Sequence, residues 1–195
     1  AMKRGLAVIG FLLMAGTSAT ASAQGGGLGI KGGLSYGNIS NGGAFPGSVA
    51  QRSGFAIGLS ANTGGVVGIG IEGLYAQRGF DNSVAADARH LDYIDVPVYL
   101  RLAAPMGTFA PFAYAGPQGS YELNCGTDSG NCPDSGRPKV THAGVIGAGV
   151  AFDMLHGMSI EGRYVYGLPD LKLDTITTAN NYRTRSFLLL VGFGF

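Results

Sequence analysis

Large apolar residues alternate with small or charged residues in eight stretches of the chain. The alternation is clearest in the last stretch, where one side carries Phe187, Leu189, Val191, Phe193 and Phe195. Residues two positions apart share a face of a β-strand, so this spacing predicts strands rather than helices. The eight predicted strands cover approximately 27–36, 53–62, 66–78, 90–102, 108–121, 141–152, 158–168 and 183–195.

The predicted connections alternate between long and short. The long ones are 37–52, 79–89, 122–140 and 169–182, and the short ones are 63–65, 103–107 and 153–157. Each strand matches the roughly 9 to 11 residues that a tilted membrane strand needs, and this rhythm is typical of short periplasmic turns and long extracellular loops. The sequence therefore predicts an all-β fold: an eight-stranded antiparallel up-and-down transmembrane β-barrel with both ends on the periplasmic side.

The two faces of the predicted strands differ in polarity. In the third strand, Ile69 and Ile71 alternate with Gly70 and Glu72. A membrane barrel turns its apolar face to lipid and its polar face inward. The charged residues assigned to the lumen by this rule are Lys31, Glu72, Arg78, Asp95, Arg101, Glu161 and Arg163. Buried charges are costly unless partnered, so we expect ion pairs that plug the lumen.

The start of the chain predicts export. Lys3 and Arg4 precede an uncharged apolar run over 6–15, and residues 21–23 (ASA) offer a cleavage site. A membrane-spanning helix would need about 20 apolar residues, and this run has roughly half of that number. We therefore assign 2–23 to a cleaved signal peptide and 24–195 to the barrel domain.

Composition agrees with a membrane barrel and excludes some function classes. The chain has 35 glycines in 195 residues, 13% charged residues and a net charge of +1. With no basic block, nothing favours nucleic acid as a partner. The segment 68–73 (GIGIEG) matches a nucleotide-binding glycine pattern, but that site needs a helix to begin there, whereas the strand alternation continues. No cofactor is expected.

Cys125 and Cys132 are the only cysteines and both fall in the third long loop. In an exported chain such a pair predicts a disulfide. A metal site is the alternative, but it would want four ligands, and no histidine lies in this loop.

Seven stretches carry a resemblance to a known family: 29–39 (GIKGGLSYGNI), 71–79 (IEGLYAQRG), 91–102 (LDYIDVPVYLRL), 109–117 (FAPFAYAGP), 144–153 (GVIGAGVAFD), 160–168 (IEGRYVYGL) and the terminal strand. Together they resemble the eight-stranded outer-membrane β-barrel family that includes PorT-like proteins. The resemblance implies a location in the outer membrane of a Gram-negative bacterium, in contact with its lipid. It also implies that Phe193 and Phe195 form an assembly signal read by the barrel-insertion machinery. It implies no catalytic motif.

We therefore expect a structural or loop-mediated role in the cell envelope without catalysis, and the loop partner is not identified by the sequence. Two alternatives stay open. One is a barrel that binds or transports a small ligand. The other is an enzyme at the extracellular rim, for which His90, Asp92 and Ser83 would have to lie within hydrogen-bond reach.

Overall fold

The computed structural model describes residues 26–40, 49–82, 89–127, 130–131, 139–152, 157–168 and 183–195. Its strands are β1 (Gly27–Ser40), β2 (Val49–Asn62), β3 (Val67–Asn82), β4 (Arg89–Ala103), β5 (Phe109–Thr127), β6 (Gly130–Asn131), β7 (Val140–Phe152), β8 (Met158–Gly167) and β9 (Arg183–Gly194). Within these ranges, none of the structure is a helix of the length and apolarity required to cross a membrane.

Eight of these strands form a closed barrel. Around the wall the order is β1, β2, β3, β4, β5, β7, β8 and β9, and β9 pairs again with β1. Every pairing is antiparallel. In the closed barrel, the backbone groups of each strand are hydrogen-bonded to those of both neighbouring strands. Strands can cross lipid only under this condition. The predicted fold, an eight-stranded antiparallel up-and-down barrel, is confirmed.

The predicted strand ends are accurate at one end of the barrel, whereas four of the eight at the other end are several residues too short. At the end that carries the connections 63–66 and 104–108, called here the short-turn end, the boundaries differ by one residue at most. At the opposite, long-loop end, β1 continues to Ser40, β2 begins at Val49 and β5 runs to Thr127. The apolar alternation ends earlier than the strands do, because backbone pairing does not require apolar side chains.

A short strand that was not predicted lies inside the third long connection. In β6, Gly130 and Asn131 pair with Thr127 and Gly126 at the end of β5. Two residues of polar or glycine type give no alternation, so the pattern could not reveal this strand.

The side-chain faces follow the membrane arrangement. Apolar residues point away from the barrel axis and are exposed, among them Leu28, Ile30, Leu34, Phe55, Ile57, Leu59, Ile69, Ile71, Val98, Leu100, Ile146, Phe187, Leu189 and Val191. An exposed apolar band of this size fits a lipid environment. The positions between them face inward, and there several polar and charged side chains are buried.

Candidate functional site

Four charged side chains meet inside the barrel: Lys31, Glu72, Glu161 and Arg163, called here the lumen cluster. The Lys31 ammonium lies 2.7 Å from Glu72 Oε1 and 2.8 Å from Glu161 Oε2. The Arg163 guanidinium lies 2.5 Å from Glu72 Oε2 and 2.8 Å from Glu161 Oε1. Each carboxylate is thus shared by both cations. Two positive and two negative groups leave the cluster with no net formal charge.

The lumen cluster spans the width of the barrel. Glu72 belongs to β3 and Arg163 to β8, which are four places apart in the ring of eight strands and therefore face each other across the lumen. The side chain of Lys31 is 10% exposed, that of Arg163 is 1%, and those of both glutamates are 0%. The lumen cluster therefore fills the cross-section of the barrel at its own level.

Two buried tyrosines add hydrogen bonds to the lumen cluster, in which Arg163 Nη1 has no hydrogen-bond partner. Tyr99 Oη donates to Glu72 Oε1 at 2.7 Å. Tyr114 Oη donates to Glu161 Oε1 at 3.0 Å and accepts from Arg163 Nε at 2.7 Å. The two rings lie side by side, with their centroids 4.5 Å apart.

Sequence reasoning missed these tyrosines as parts of the site. The signal was present for Tyr99, which lies two positions before Arg101 and so shares its inward face. Aromatic residues are also common as lipid-facing groups at the membrane boundary of such barrels, so their presence in a strand does not by itself indicate a place in the lumen.

Two glycines make room for the tyrosine rings. A Cβ atom built on Gly70 would collide with the ring of Tyr99, and one on Gly147 would collide with the ring of Tyr114. Both glycines are buried on the inner face of the barrel wall. Their lack of a side chain therefore allows the tyrosines to lie flat against the wall and reach the cluster.

A separate ion pair lies on neighbouring strands above the lumen cluster. Arg78 of β3 contacts Asp95 of β4, with 11% and 2% of their side chains exposed. The Arg78 guanidinium also lies over the ring of Tyr93, 5.1 Å from its centroid. These residues bring a second pair of the predicted lumen charges together on the long-loop side of the cluster.

Arg101 departs from the expectation that the lumen charges are paired. It is 7% exposed and its guanidinium lies 4.5 Å from the ring centroid of Phe112. No carboxylate of the described residues lies within ion-pair distance of it. The carboxylates of Glu72 and Glu161 are already shared by Lys31 and Arg163, so the cluster offers Arg101 no free partner.

The aromatic residues at the end of the chain face outward at the short-turn end. Phe193 is 46% exposed and Phe195 is 67% exposed. The backbone N–H of Phe195 donates to the carbonyl of Leu28 at 2.9 Å, which fastens the last residue to β1. Their role as an assembly signal stays a prediction.

The remaining predicted residues are only partly within the described chain. Cys125 lies near the long-loop end of β5, whereas Cys132 falls outside the described residues, so the disulfide stays a prediction. His90 and Asp92 belong to β4, whereas Ser83 falls outside the described residues. The rim relay is therefore untested by the structure. In the described ranges, no group of three or more potential ligands is arranged to hold a metal ion.

Comparisons with solved structures agree with this architecture. Neisserial surface protein A aligns with a TM-score of 0.52 at 15% identity, covering 86% of this chain and 97% of that one. The outer membrane enzyme PagL aligns with a TM-score of 0.52 at 11% identity, covering 86% and 99%. The attachment invasion locus protein Ail of Yersinia pestis gives a TM-score of 0.49 at 16% identity, covering 88% and 100%. At these identities the likeness to Neisserial surface protein A and to PagL shows the fold alone.

The sequence comparisons identify the family. None of the curated proteins compared with the chain matches it. A family model described as outer membrane protein beta-barrel domain matches residues 7–195, which is nearly the whole chain. This chain therefore belongs to the outer membrane protein beta-barrel family, whose place is the outer membrane of Gram-negative bacteria.

Proposed function

We propose that this protein is a non-conducting and non-catalytic barrel that serves as a structural element of the outer membrane and makes contacts through its extracellular end. The observation that carries the proposal is the lumen cluster, which joins opposite walls of the barrel. An eight-stranded barrel has an interior just wide enough to be filled by side chains. Here the filling is a closed set of ion pairs rather than an open polar channel.

The cluster has the properties of a fixed plug. Each of its four charges has two oppositely charged neighbours, and removing any one would leave a buried charge with less compensation. Such a loss costs about 3 to 5 kcal/mol in buried ion pairs. The open form of the cluster should therefore be rarely populated.

The length of the strands supports the contact role. β3 has 16 residues and β5 has 19, whereas crossing the hydrocarbon core takes roughly 9 to 11. The additional residues lie at the long-loop end, which the barrel topology assigns to the cell exterior. The wall therefore projects beyond the membrane and raises the loops above it, where they can reach a protein, a glycan or lipopolysaccharide.

Two finer assignments belong to the same proposal. We place the chain in the PorT-like group of its family on the seven stretches that resemble it. We also assign residues 2–23 to a signal peptide that is removed on export, on the basic residues, apolar run and ASA site at the start of the chain.

Conductance in planar bilayers tests the plug. The folded, unmutated barrel should show no steady current steps. A variant in which Lys31, Glu72, Glu161 and Arg163 are all replaced by Ala removes the plug without leaving a single unpaired charge behind, and it should conduct if it folds. Reproducible single-channel steps from the unmutated protein would show that the lumen is open and would favour transport.

The contact role needs its own experiment. The folded barrel in lipid nanodiscs should be compared with a variant whose four long connections are replaced by short turns. The probes are purified lipopolysaccharide, surface polysaccharide and isolated outer-membrane proteins. Binding that depends on the long connections supports the role, and equal binding by both barrels to every probe contradicts it.

A further inference from the structure

A cavity opens at the short-turn end of the barrel, beneath the lumen cluster. It measures about 90 Å³. The side chains that matter for its chemistry are Lys31, Ser60, Arg101, Phe112, Tyr114 and Ser159. The end of the chain, including Phe195, forms part of its rim. The cavity is therefore a cup that opens toward the periplasm, and the lumen cluster forms its closed inner end.

Arg101 is the one charged side chain of this cup that lacks an ion-pair partner among the described residues. Its guanidinium is buried against Phe112, and its Nη1 atom has no hydrogen-bond partner. A guanidinium carries five N–H donors, and burying a charge without compensation is costly. The site is thus built to receive an acceptor from outside the barrel wall.

Neither neighbouring glutamate contacts Arg101 in the structure. Glu72 is bound by Lys31, Arg163 and Tyr99. Glu161 is bound by Lys31, Arg163 and Tyr114. Because the lumen cluster is neutral as a whole, Arg101 is a positive charge inside the cup that no carboxylate of the described residues contacts.

We propose that this cup binds a small oxyanion, a carboxylate or a phosphate group, from the periplasmic side. Arg101 would hold it through the paired N–H groups of the guanidinium, which match the geometry of both anions. Lys31 has three ammonium donors and uses two on the cluster, so a third is available. The hydroxyls of Ser60 and Ser159 line the same space.

The size of the cup sets a limit on the ligand. A cavity needs about 10 to 15 Å³ for each water molecule that it holds, so the cup has room for several waters. A single carboxylate or phosphate group fits this space. The rest of a larger ligand would have to extend into the periplasm.

The test is nuclear magnetic resonance of the arginine Nε–Hε groups in the full-length barrel, folded in detergent micelles. Sodium acetate and sodium phosphate are titrated separately, with sodium chloride at matched ionic strength as the reference. We expect the Arg101 signal, assigned from its loss in Arg101→Gln, to shift and saturate with at least one oxyanion. Comparison of the two salts shows which anion is preferred.

The variants separate a specific site from general charge effects. Backbone amide spectra of the same samples should show that Arg101→Gln abolishes the saturable oxyanion response of the other cup residues. Arg185→Gln is the matched control, since Arg185 is exposed on the outer surface, and it should leave the response unchanged. If Arg101→Gln does not fold, Arg101→Lys keeps the charge but loses the paired donors, and binding should weaken about tenfold. The proposal is overturned by a response that is equal with chloride or unchanged in Arg101→Gln. If that variant does not fold, it is overturned by binding that is not weakened in Arg101→Lys.

Discussion

Arg163 and Glu72 stand on opposite walls of the barrel, and their side chains meet at 2.5 Å in its interior. Neither side chain is more than 1% exposed. The contact joins residues that are 91 positions apart in the chain. It joins two strands that do not pair with each other, so it ties opposite walls of the folded barrel together.

Breaking this link should destabilise the barrel strongly. We predict that Arg163→Met lowers the free energy of unfolding by about 3 to 5 kcal/mol, because it leaves two buried glutamates with only Lys31 between them. The measurement is urea unfolding in detergent or lipid, followed by far-UV circular dichroism. Arg185→Met, on the outer surface, should change stability by less than about 0.5 kcal/mol.

The pairwise part of the effect can be isolated with a double-mutant cycle. Glu72→Gln and the double variant Glu72→Gln/Arg163→Met complete the cycle with Arg163→Met. Residues in one buried network should show a coupling energy of about 0.5 to 3 kcal/mol. Additive effects would mean that the two side chains do not interact across the lumen.

Gly70 on β3 allows a test of whether the Tyr99 ring needs a neighbour without a side chain. We predict that Gly70→Ala destabilises the barrel by about 1 to 3 kcal/mol, because the added methyl group collides with the ring of Tyr99 and forces it to move. Gly73→Ala on the same strand is the matched control, since a Cβ there meets nothing within 4 Å. Equal effects of the two substitutions in urea unfolding would show that the Tyr99 ring does not depend on Gly70.

The sequence predicted the barrel well because one physical rule governs most of it. Every membrane strand must turn apolar residues to lipid, so the period of two recurs in each strand and assigns the faces of Glu72 and Arg163. The rule does not reach beyond the membrane. There the strands need no apolar face, and the extensions of β1 and β5 at the long-loop end were therefore missed.

The pairing inside the barrel was harder to predict than the faces. Alternation assigns both Lys31 and Arg101 to the interior. It contains no information on the position of a side chain along the barrel axis or on its distance from side chains across the lumen. In the structure Lys31 lies between two glutamates, whereas Arg101 lies below them against Phe112. Partner choice depends on the stagger of strands that are distant in sequence, which a single strand pattern cannot supply.

The cysteine pair gives a prediction at the long-loop end. Cys125 and Cys132 should be oxidised to each other in protein isolated from the envelope, so that thiol labelling succeeds only after reduction. Their replacement by Ser should leave the barrel folded, because the link closes only a short local loop. Labelling of the unreduced, folded protein would show that the disulfide is absent.

The last residue should matter for assembly more than for stability. Phe195 is 67% exposed, so its side chain contributes little packing to the barrel, while its backbone N–H is fixed to Leu28. We predict that Phe195→Ala, which keeps that hydrogen bond, lowers the yield of folded protein in the outer membrane several-fold. Heat-modifiable gel mobility of membrane fractions measures the folded yield.

A second aromatic residue at the same end distinguishes a terminal assembly signal from simple anchoring of an aromatic ring in lipid. Phe109 is also exposed, at 43%, but it begins β5 and does not end the chain. Phe109→Ala therefore removes a comparable lipid-facing ring without altering the terminal residue, and the folded yield in cells should be retained. Both variants should refold alike from urea into detergent, because neither changes the lumen cluster. An equal loss of yield for Phe109→Ala and Phe195→Ala would assign the effect to lipid anchoring and would remove the basis for a terminal assembly signal.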